Sequence, residues 1–330
     1  MKKVDLIIDM QYGSTGKGLI AGYLAETNKY DTVINANMPN AGHTYVNSEG
    51  RTWIHKVLPN GIVSPNLKRV MIGPGSVFSP DRLKKEIEDS ADILKDVQIL
   101  IHPNAVPLTE EHVKRDQDAC KRISGTGQGS GGALQEKVNR TALIASQSDD
   151  WFKIYVVNHQ EWKDALIKSE KILAEGAQGF SLSVSEQFYP YCTSRDCTPA
   201  RFLADMGIPV QMLNEVIGTV RTYPIRGGGA SGSCYDDQIE INWSDIGLNP
   251  EYTTVTNRQR RIFTFSKKQM DDAAFAIQPN KVFLNFCNYV DEKTLTERIN
   301  AIRESVSVFG GKIEYLGYGP SFTDIERVSL

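Results

Sequence analysis

The chain has 330 residues, of which 40% are hydrophobic and 23% are charged, and it contains 27 glycines and 14 prolines. This composition is close to that of an ordinary globular protein and excludes a disordered or fibrous chain. Thirty-seven Lys and Arg against 40 Asp and Glu give a net charge of −3, which is too balanced to favour nucleic acid or an anionic membrane as partner.

The cysteines and the N-terminal segment bear on the cellular compartment. Five cysteines are dispersed along the chain and lack the paired spacing of a zinc site, which predicts free thiols in a reducing cytoplasm. No apolar run approaches 18 residues, and Asp5 and Asp9 interrupt the only apolar segment near the N-terminus. We therefore expect a cytoplasmic protein that neither spans a membrane nor is exported.

The hydrophobic pattern predicts an α/β fold in a single domain that covers residues 1–330. Val4–Asp9 has the pattern of a short buried strand, and Leu19–Glu26 that of a helix. Further strands are predicted at Thr32–Ile34, Arg69–Ile72, Gln98–Ile101, Ile172–Ala174, Gln211–Val216 and Lys281–Phe286. Because helical patterns separate these runs, we expect a mainly parallel central sheet flanked by helices, with loop and helical insertions.

Helix signals recur between the strands. At Ser79-Pro80-Asp81, Ser79 is placed to cap a helix and Pro80 to occupy its first turn. Other helices are predicted from Thr109 to Ile123 and over Asp150–Lys168, Pro199–Met206, Lys267–Ala276 and Thr294–Val308. The glycine-rich segments Gly125–Gly132 and Gly227–Gly232 lie inside the chain, and we interpret them as ligand loops rather than linkers.

The first glycine-rich loop joins the first predicted strand to the first helix. Gly13, Gly16 and Gly18 surround Lys17, so backbone N–H groups, a helix N-terminus and an ammonium group can meet at a phosphate. The spacing is too short for a Walker A loop, and Gly18 stands where such a loop has Ser or Thr for Mg²⁺. On its own, the pattern fits equally a tight turn with a solvated lysine.

Two further loops contain candidate polar residues. His43 lies in a small-residue segment after a predicted strand, where it could donate a proton to a developing phosphoryl charge, although most loop histidines are structural or solvated. The backbone amides of Gly125–Gly132 could form a second anion site or belong to a flexible surface loop. Gln178 follows another strand and has both amide functions needed to read the edge of a base.

Arg258–Arg261 is the strongest cationic cluster in the chain. If the segment is extended, Arg258 and Arg260 share a face and can hold a carboxylate through charge-assisted hydrogen bonds. A solvated basic edge is the commoner explanation for such a run. The pattern therefore leaves a small carboxylate ligand and a solvated surface as alternatives.

Taken in order, five segments resemble the adenylosuccinate synthetase family: Gln11–Gly18, Asn40–Thr44, Glu175–Gly179, Tyr189–Ser194 and Arg258–Arg261. The resemblance extends over nearly the whole chain, and five motifs in the same order make it specific. It implies the P-loop-like nucleotide-binding fold of that family, a homodimer, and a ligase reaction in two steps. A nucleoside triphosphate phosphorylates O6 of a 6-oxopurine nucleotide, and the amino group of L-aspartate then displaces the phosphate at C6.

The resemblance also implies roles for the matching residues. Catalysis would rest on Lys17 at the transferring phosphate, His43 as general acid, Gln178 at the purine six-position and the residue at position 14, Ser14. The nucleotide and phosphate contacts would come from Gly13, Thr15, Gly16, Lys17, Gly18, Asn40, Thr126, Gly127, Arg140, Thr193, Asn288 and Gly319. Arg140 would act across the dimer interface.

The remaining implied roles concern the amino acid and the metal. L-aspartate would be bound by Thr256, Arg258 and Arg260. The cofactor Mg²⁺ would be held by Ser14 and by the carbonyl of Gly42. The phosphoryl group is the site of developing negative charge, so these cations and donors fit the chemistry that the resemblance implies.

Ser14 departs from the family pattern, which has at this position an aspartate that removes the purine N1 proton and binds Mg²⁺. An unassisted serine hydroxyl is a poor base at neutral pH, which opposes ordinary chemistry on IMP. A smaller uncharged side chain also leaves room for the 2-amino group of guanine and can accept a hydrogen bond from it. The sequence resembles in this respect the compact phage branch of the family, which uses dGMP for diaminopurine DNA synthesis.

A second departure lies at Asn288, where the family has an aspartate that reads the guanine of GTP. An amide cannot accept two N–H donors as a carboxylate does, so we expect ATP or dATP as phosphoryl donor. An ordinary IMP enzyme and a catalytically silent nucleotide-binding protein remain the alternatives. The group that would remove the N1 proton stays open between a Mg²⁺-bound water, the phosphate itself, and loss after O6 phosphorylation.

Overall fold

The computed structural model describes residues 2–253 and 257–330. Its α-helices are α1 Lys17–Asn28, α2 Pro80–Asp89, α3 Ala91–Leu94, α4 Glu110–Cys120, α5 Ser130–Asn139, α6 His159–Lys168, α7 Pro199–Asp205, α8 Lys267–Ile277 and α9 Glu292–Ser307. Its strands are β1 Val4–Asp9, β2 Thr32–Asn35, β3 His43–Val46, β4 Thr52–His55, β5 Arg69–Ile72, β6 Val77–Phe78, β7 Gln98–Ile101, β8 Val106–Pro107, β9 Ile172–Glu175, β10 Leu213–Arg221, β11 Ile225–Arg226, β12 Glu240–Ile241, β13 Arg261–Phe263, β14 Lys281–Asn285, β15 Lys312–Gly317 and β16 Ile325–Arg327.

Nine strands form the central sheet in the order β16-β15-β14-β10-β1-β9-β2-β5-β7. Neighbouring strands are parallel throughout, except that β16 runs antiparallel to β15 at one edge. The predicted α/β class and the mainly parallel sheet are thus confirmed. No helix within the described ranges is long and apolar enough to cross a membrane.

Strand β1 lies at the centre of the sheet and is buried on both faces. Leu6 and Ile8 pack into one hydrophobic cluster with residues of α7, α8 and α9. Ile7, which points to the opposite face, packs into a second cluster with residues of α1. Burying each of these side chains contributes about 1.5–3 kcal/mol, so the strand that leads into the first glycine-rich loop is firmly anchored.

Two predicted elements are corrected by the structure. The helix expected over Asp150–Lys168 is two elements, a short 3₁₀ helix at Trp151–Tyr155 and then α6. Asn158 begins the second one, because its side chain accepts hydrogen bonds from the N–H groups of Gln160 and Glu161.

The strand expected over Gln211–Val216 begins later and continues further. Val210–Met212 form a 3₁₀ turn after Pro209, and β10 extends from Leu213 to Arg221. Gly218 obscured this continuation in the sequence, since glycine weakens a strand pattern. A β-carbon at Gly218 would overlap the sulfur of Met10, so the glycine makes room for that side chain.

The sheet order places the predicted motifs beside one another. Strands β14, β10, β1, β9 and β2 are consecutive and parallel, so their carboxyl ends lie along the same edge. The loops that follow them contain the glycine-rich segment after Asp9, the segment after Glu175 and the segment that leads to His43. Ligands of open parallel sheets bind at this edge.

Candidate active site

A cavity of about 660 Å³ lies at the carboxyl edge of the sheet. The sequence-predicted residues that line it are Gly13, Ser14, Gly16, Lys17, Gly18, Asn40, Gly42, His43, Thr126, Gln178, Thr193 and Arg260. Residues that are far apart in the sequence therefore meet around one space, which is large enough for a nucleotide and a small second substrate.

The phosphate loop, defined here as residues 9–17 from the last residue of β1 to the first residue of α1, is organised around the buried carboxylate of Asp9. One carboxylate oxygen accepts the backbone N–H groups of Gln11 at 2.8 Å and Gly13 at 3.2 Å. The other accepts the hydroxyl of Thr15 at 2.5 Å and the ammonium of Lys17 at 3.0 Å. Four donors therefore surround Asp9, and both of its oxygens are used within the protein.

The ammonium group of Lys17 is held between two acceptors. Besides Asp9, it donates to the carbonyl of Gln178 at 2.8 Å, and Gln178 itself has a φ of 66°. An ammonium group has three N–H donors, so one remains for a ligand in the cavity. This arrangement fixes Lys17 for a phosphoryl oxygen and ties the phosphate loop to the segment after β9.

The side chain of Thr15, a predicted phosphate contact, is bonded within the protein. Its hydroxyl contacts Asp9 and also the hydroxyl of Thr219 at 2.5 Å, and the residue is fully buried outside the cavity lining. The side chain thus holds the phosphate loop in place. Any contact between Thr15 and a phosphate would have to come from its backbone.

Ser14 is exposed at the cavity and has a φ of 58°, in the left-handed region that costs a non-glycine residue some strain. Its carbonyl accepts a hydrogen bond from the guanidinium of Arg221 at 3.2 Å. The hydrogen bond from Arg221 therefore fixes the backbone of Ser14, while its side chain is exposed at the cavity.

His43 begins β3 and is almost completely buried at the cavity wall. Its Nδ1 lies 3.3 Å from a carboxylate oxygen of Glu175, which ends β9. The other oxygen of Glu175 accepts the N–H of Gly61 at 2.8 Å. Glu175 therefore orients the imidazole through Nδ1, which leaves Nε2 as the nitrogen for proton transfer or hydrogen bonding to a ligand.

Two polar oxygens in the cavity wall lack a protein partner. The side-chain oxygen of Asn40 and the hydroxyl of Thr193 are buried, and neither has a hydrogen-bond partner in the part of the chain that the structure describes. A buried polar atom without a partner costs about 1–3 kcal/mol, so such atoms in a cavity favour a polar ligand. Asn40 and Thr193 are both predicted nucleotide contacts.

The aspartate segment, defined here as residues 251–253 and 257–261, contributes Glu251, Thr253 and Arg260 to the cavity. Burial lowers the pKa of the Arg260 guanidinium; nearby Glu251 raises that pKa and nearby Arg221 lowers it. Arg258 is exposed and does not line the cavity, and its N–H donates to the hydroxyl of Thr253 at 3.0 Å. Thr256, the third predicted aspartate contact, lies outside the described residues.

Several other predicted residues lie away from the cavity wall. Gly127 is buried against Gln117, and Gly319 contacts Asp324. Arg140 and Asn288 are exposed, and Arg140 forms the left-handed end of α5. The structure of one chain therefore does not bring these four predicted residues, Gly127, Arg140, Asn288 and Gly319, into the same cavity.

Two backbone amides at the start of α5, in the glycine-rich segment Gly125–Gly132, are hydrogen-bonded to a side chain of the protein. Asp116 of α4 accepts the N–H groups of Gly129 at 2.8 Å and Gly131 at 3.3 Å. These two amides are therefore engaged with a carboxylate of the chain. A ligand anion in this loop would therefore have to bind to other backbone amides, such as those near Thr126, which lines the cavity.

Sequence reasoning missed the side chains that organise the site. Asp9 and Glu175 end buried strands, Arg221 ends β10, and Glu251 and Arg226 line the cavity. A signal for the first two existed, because a lone carboxylate at the end of an apolar strand before a glycine-rich loop is unusual in a buried position. Arg221, Arg226 and Glu251 have no such local signature.

Comparison with known proteins gives the family. The sequence model of the adenylosuccinate synthetase family matches residues 6–153 and 143–293. The chain belongs to the adenylosuccinate synthetase family. It is 58% identical over 337 residues to the N6-succino-2-amino-2′-deoxyadenylate synthase of Vibrio phage phiVC8, covering 99% of this chain and 98% of that protein. It is 43% identical over 365 residues to the protein of the same description from Acinetobacter phage SH-Ab 15497, covering 99% and 94%.

Solved structures of adenylosuccinate synthetase relatives have the same fold. The succinoaminodeoxyadenylate synthetase of cyanophage S-2L, bound to dGMP and to dATP as energy donor, superposes with a TM-score of 0.92 at 39% identity, covering 99% of this chain and 95% of that one. The fully ligated adenylosuccinate synthetase of Plasmodium falciparum superposes with a TM-score of 0.84 at 19% identity, covering 99% and 100%. The family and fold predicted from the motifs are confirmed.

Adenylosuccinate synthetases are generally Mg²⁺-dependent. Among the described residues, no group of three or more His, Cys, Asp and Glu is placed to hold a metal ion. Mg²⁺ commonly takes most of its ligands from water and phosphate, so it needs few protein ligands. Ser14 and Gly42 line the same cavity and offer a hydroxyl and a carbonyl oxygen, which fits that requirement.

Proposed function

We propose that the chain joins L-aspartate to C6 of dGMP, with hydrolysis of a nucleoside triphosphate, to give N6-succino-2-amino-2′-deoxyadenylate for diaminopurine DNA synthesis. The donor loses its γ-phosphoryl group to the purine O6. The aspartate amino group then attacks C6, and phosphate leaves with the former O6. The reaction thus produces a nucleoside diphosphate and inorganic phosphate together with the succinylated nucleotide.

The assignment of dGMP as the substrate depends mainly on Ser14. Its small uncharged side chain is exposed at the cavity, and its backbone is held by Arg221. A hydroxyl at this point leaves space for the 2-amino group of guanine and accepts a hydrogen bond from it. The phage relatives that are 58% and 43% identical are named for a 2-amino product, which supports the same substrate.

The phosphoryl transfer step would depend on cationic and hydrogen-bonding groups that the protein already holds in position. Lys17, fixed by Asp9 and the Gln178 carbonyl, would donate its third N–H to the transferring group. His43, oriented by Glu175, would donate from Nε2 as general acid. Mg²⁺, held by the oxygens of Ser14 and Gly42, would supply further positive charge to the phosphates.

The substrate nucleotide would be held by the polar groups of the cavity wall. Asn40, Thr126 and Thr193 would contact dGMP, and the side chain of Gln178 would address the purine six-position. We propose that Arg140 reaches the 5′-phosphate bound to a second copy of the chain. Its exposure outside the cavity of its own chain supports a role across a homodimer interface.

L-aspartate would bind at the aspartate segment. Arg260 lines the cavity and would hold one carboxylate through its guanidinium. Arg258 and Thr256 would complete the site, which requires Arg258 to turn toward the bound amino acid. Held there, the aspartate amino group would face the activated C6, and proximity would supply much of the rate.

ATP or dATP would be the phosphoryl donor. The replacement of a carboxylate by the amide of Asn288 disfavours guanine, and the cyanophage S-2L relative has dATP as its energy donor. Asn288 and Gly319 follow the neighbouring strands β14 and β15, so both lie at the carboxyl edge of the sheet. We propose this part of the edge as the binding site of the donor base.

The proposal is tested by product formation with the purified protein. Incubation with dGMP, L-aspartate, Mg²⁺ and ATP, dATP or GTP is followed by mass spectrometry of the nucleotides, with omission of aspartate as control. We expect the succinylated 2-amino nucleotide from dGMP, with ATP or dATP. Turnover of IMP without turnover of dGMP would establish the ordinary family reaction instead, and no product from either nucleotide would indicate a silent binding protein.

A further inference from the structure

Arg221 is a buried arginine at the carboxyl end of β10, and its side chain has no solvent exposure. It is not one of the residues for which the family resemblance implies a role. Its guanidinium contacts both the phosphate loop and the aspartate segment. The stack of its guanidinium on the ring of Phe286, at 3.9 Å from the ring centroid, fixes its plane.

The contacts of Arg221 with the phosphate loop involve both its backbone and its side chain. The side-chain amide of Gln11 accepts the Arg221 N–H at 2.9 Å and donates to the Arg221 carbonyl at 3.2 Å. The guanidinium Nη1 donates to the carbonyl of Ser14 at 3.2 Å. Two of these hydrogen bonds hold the loop at Gln11, and the third holds it at Ser14, the residue that we propose selects the purine.

The contacts with the aspartate segment are made through Glu251. Arg221 Nη2 lies 2.7 Å from one carboxylate oxygen of Glu251, and Nη1 lies 3.4 Å from the other. The carbonyl of Glu251 accepts the backbone N–H of Arg260 at 2.8 Å. The hydroxyl of Tyr289 lies 3.4 Å from Glu251 and supports the same carboxylate. One guanidinium is therefore linked, through a single residue, to the arginine that lines the aspartate subsite.

We propose that Arg221 and Glu251 form a positioning pair that sets the distance between Ser14 and Arg260. The pair holds the purine-selecting residue and the aspartate-binding guanidinium in one rigid arrangement, so that the amino group meets the phosphorylated C6. Arg221 acts through Ser14 and Glu251 and touches no substrate. This inference rests on the proposed function, because it takes Arg260 as a ligand of L-aspartate.

The pair is tested with Arg221→Lys, Glu251→Gln and the double variant, using steady-state kinetics on dGMP and L-aspartate. The matched control is Arg195→Lys. Arg195 is equally buried, pairs with Asp205 at 3.1 Å and stacks over Phe202 at 5.3 Å, but does not line the cavity. Loss of a charge-assisted hydrogen bond predicts that each test variant raises the KM for aspartate about tenfold or more.

Three features distinguish positioning from a general loss of stability. In Glu251→Gln, which leaves the Arg221–Ser14 hydrogen bond in place, the KM for dGMP should change less than about threefold. The double variant should be no worse than Arg221→Lys alone, and Arg195→Lys should lower Tm without a selective change in the aspartate KM. If Arg221→Lys does not fold, the kinetics of Glu251→Gln decide the question. The side chain of Glu251 is partly exposed, so this variant is expected to fold.

Contrary results separate this inference from the proposed function. An aspartate KM within about twofold of the unaltered protein in the test variants, or additive effects in the double variant, would overturn the positioning pair while leaving the reaction itself in place. Failure of the unaltered protein to convert dGMP would instead overturn the proposed function on which the pair rests.

Discussion

The phosphate loop and the aspartate segment, which face the same cavity, are held in opposite ways. In the phosphate loop, the Asp9 carboxylate receives four hydrogen bonds and Lys17 lies almost fully buried between two acceptors. In the aspartate segment, Arg258 is exposed, and Arg260 is linked to the sheet through Glu251 and Arg221. Preorganisation is therefore concentrated where phosphoryl charge would develop, which is where it lowers a barrier most.

Loss of the cation from the phosphate loop should have the largest effect. We expect Lys17→Ala to lower kcat about a thousandfold, because a fixed positive charge beside the transferring phosphoryl group is removed. The control is Lys3→Ala, which removes another buried lysine, bonded to the carbonyls of Ile167 and Ser169 far from the cavity. Rapid-quench measurement of phosphate release checks both variants, and equal losses in the two would refute a specific role for Lys17.

The two arginines of the aspartate segment should differ in importance. Arg260→Ala should lower kcat/KM for aspartate about a hundredfold, and Arg258→Ala about tenfold, because only Arg260 lines the cavity before the ligand binds. Initial rates at varied aspartate concentration give both values. A larger loss for Arg258→Ala would show that the segment rearranges on binding and that its resting geometry is a poor guide to function.

Ser14→Asp tests selection at the phosphate loop. The larger, charged side chain should crowd the 2-amino group, so we expect the ratio of kcat/KM for dGMP over IMP to fall about thirtyfold. Ser14→Ala serves as the control for loss of the hydroxyl without added bulk. An unchanged ratio in Ser14→Asp would place purine selection elsewhere in the cavity.

Removing the charge that orients the imidazole should have a modest effect. Glu175→Gln keeps the size of the side chain and the acceptor for the Gly61 N–H, but weakens the contact with His43, so kcat should fall about tenfold with little change in KM. The kcat of His43→Ala gives the effect of losing the imidazole completely. Glu175→Gln kinetics equal to those of the unaltered protein would show that His43 needs no partner.

Local signals predicted much of the fold. The strands that frame the site have short apolar runs bounded by turn residues, and Ser79 caps α2 as expected from its place before Pro80. The failures have local causes: Asn158 begins a new helix where a continuous one was expected, and Gly218 interrupted the pattern of β10 although the strand continues.

The candidate site was predictable only in part. Gly13, Lys17 and His43 belong to short motifs and were found, and all three line the cavity. The partners that fix them depend on which strands are neighbours: Arg221 reaches Ser14 because β10 lies beside β1. Strand order comes from the packing of the whole domain, so no local pattern around residue 221 could have indicated that contact.

The central claim, that Ser14 selects a purine with a 2-amino group, is tested most directly by comparing dGMP with dIMP. These nucleotides share the sugar and the phosphate and differ only in that amine, so sugar preference cannot affect the result. The account predicts that kcat/KM for dGMP exceeds that for dIMP about tenfold or more, and that Ser14→Asp reverses the preference. Equal values for the two nucleotides, or a preference for dIMP, would contradict it.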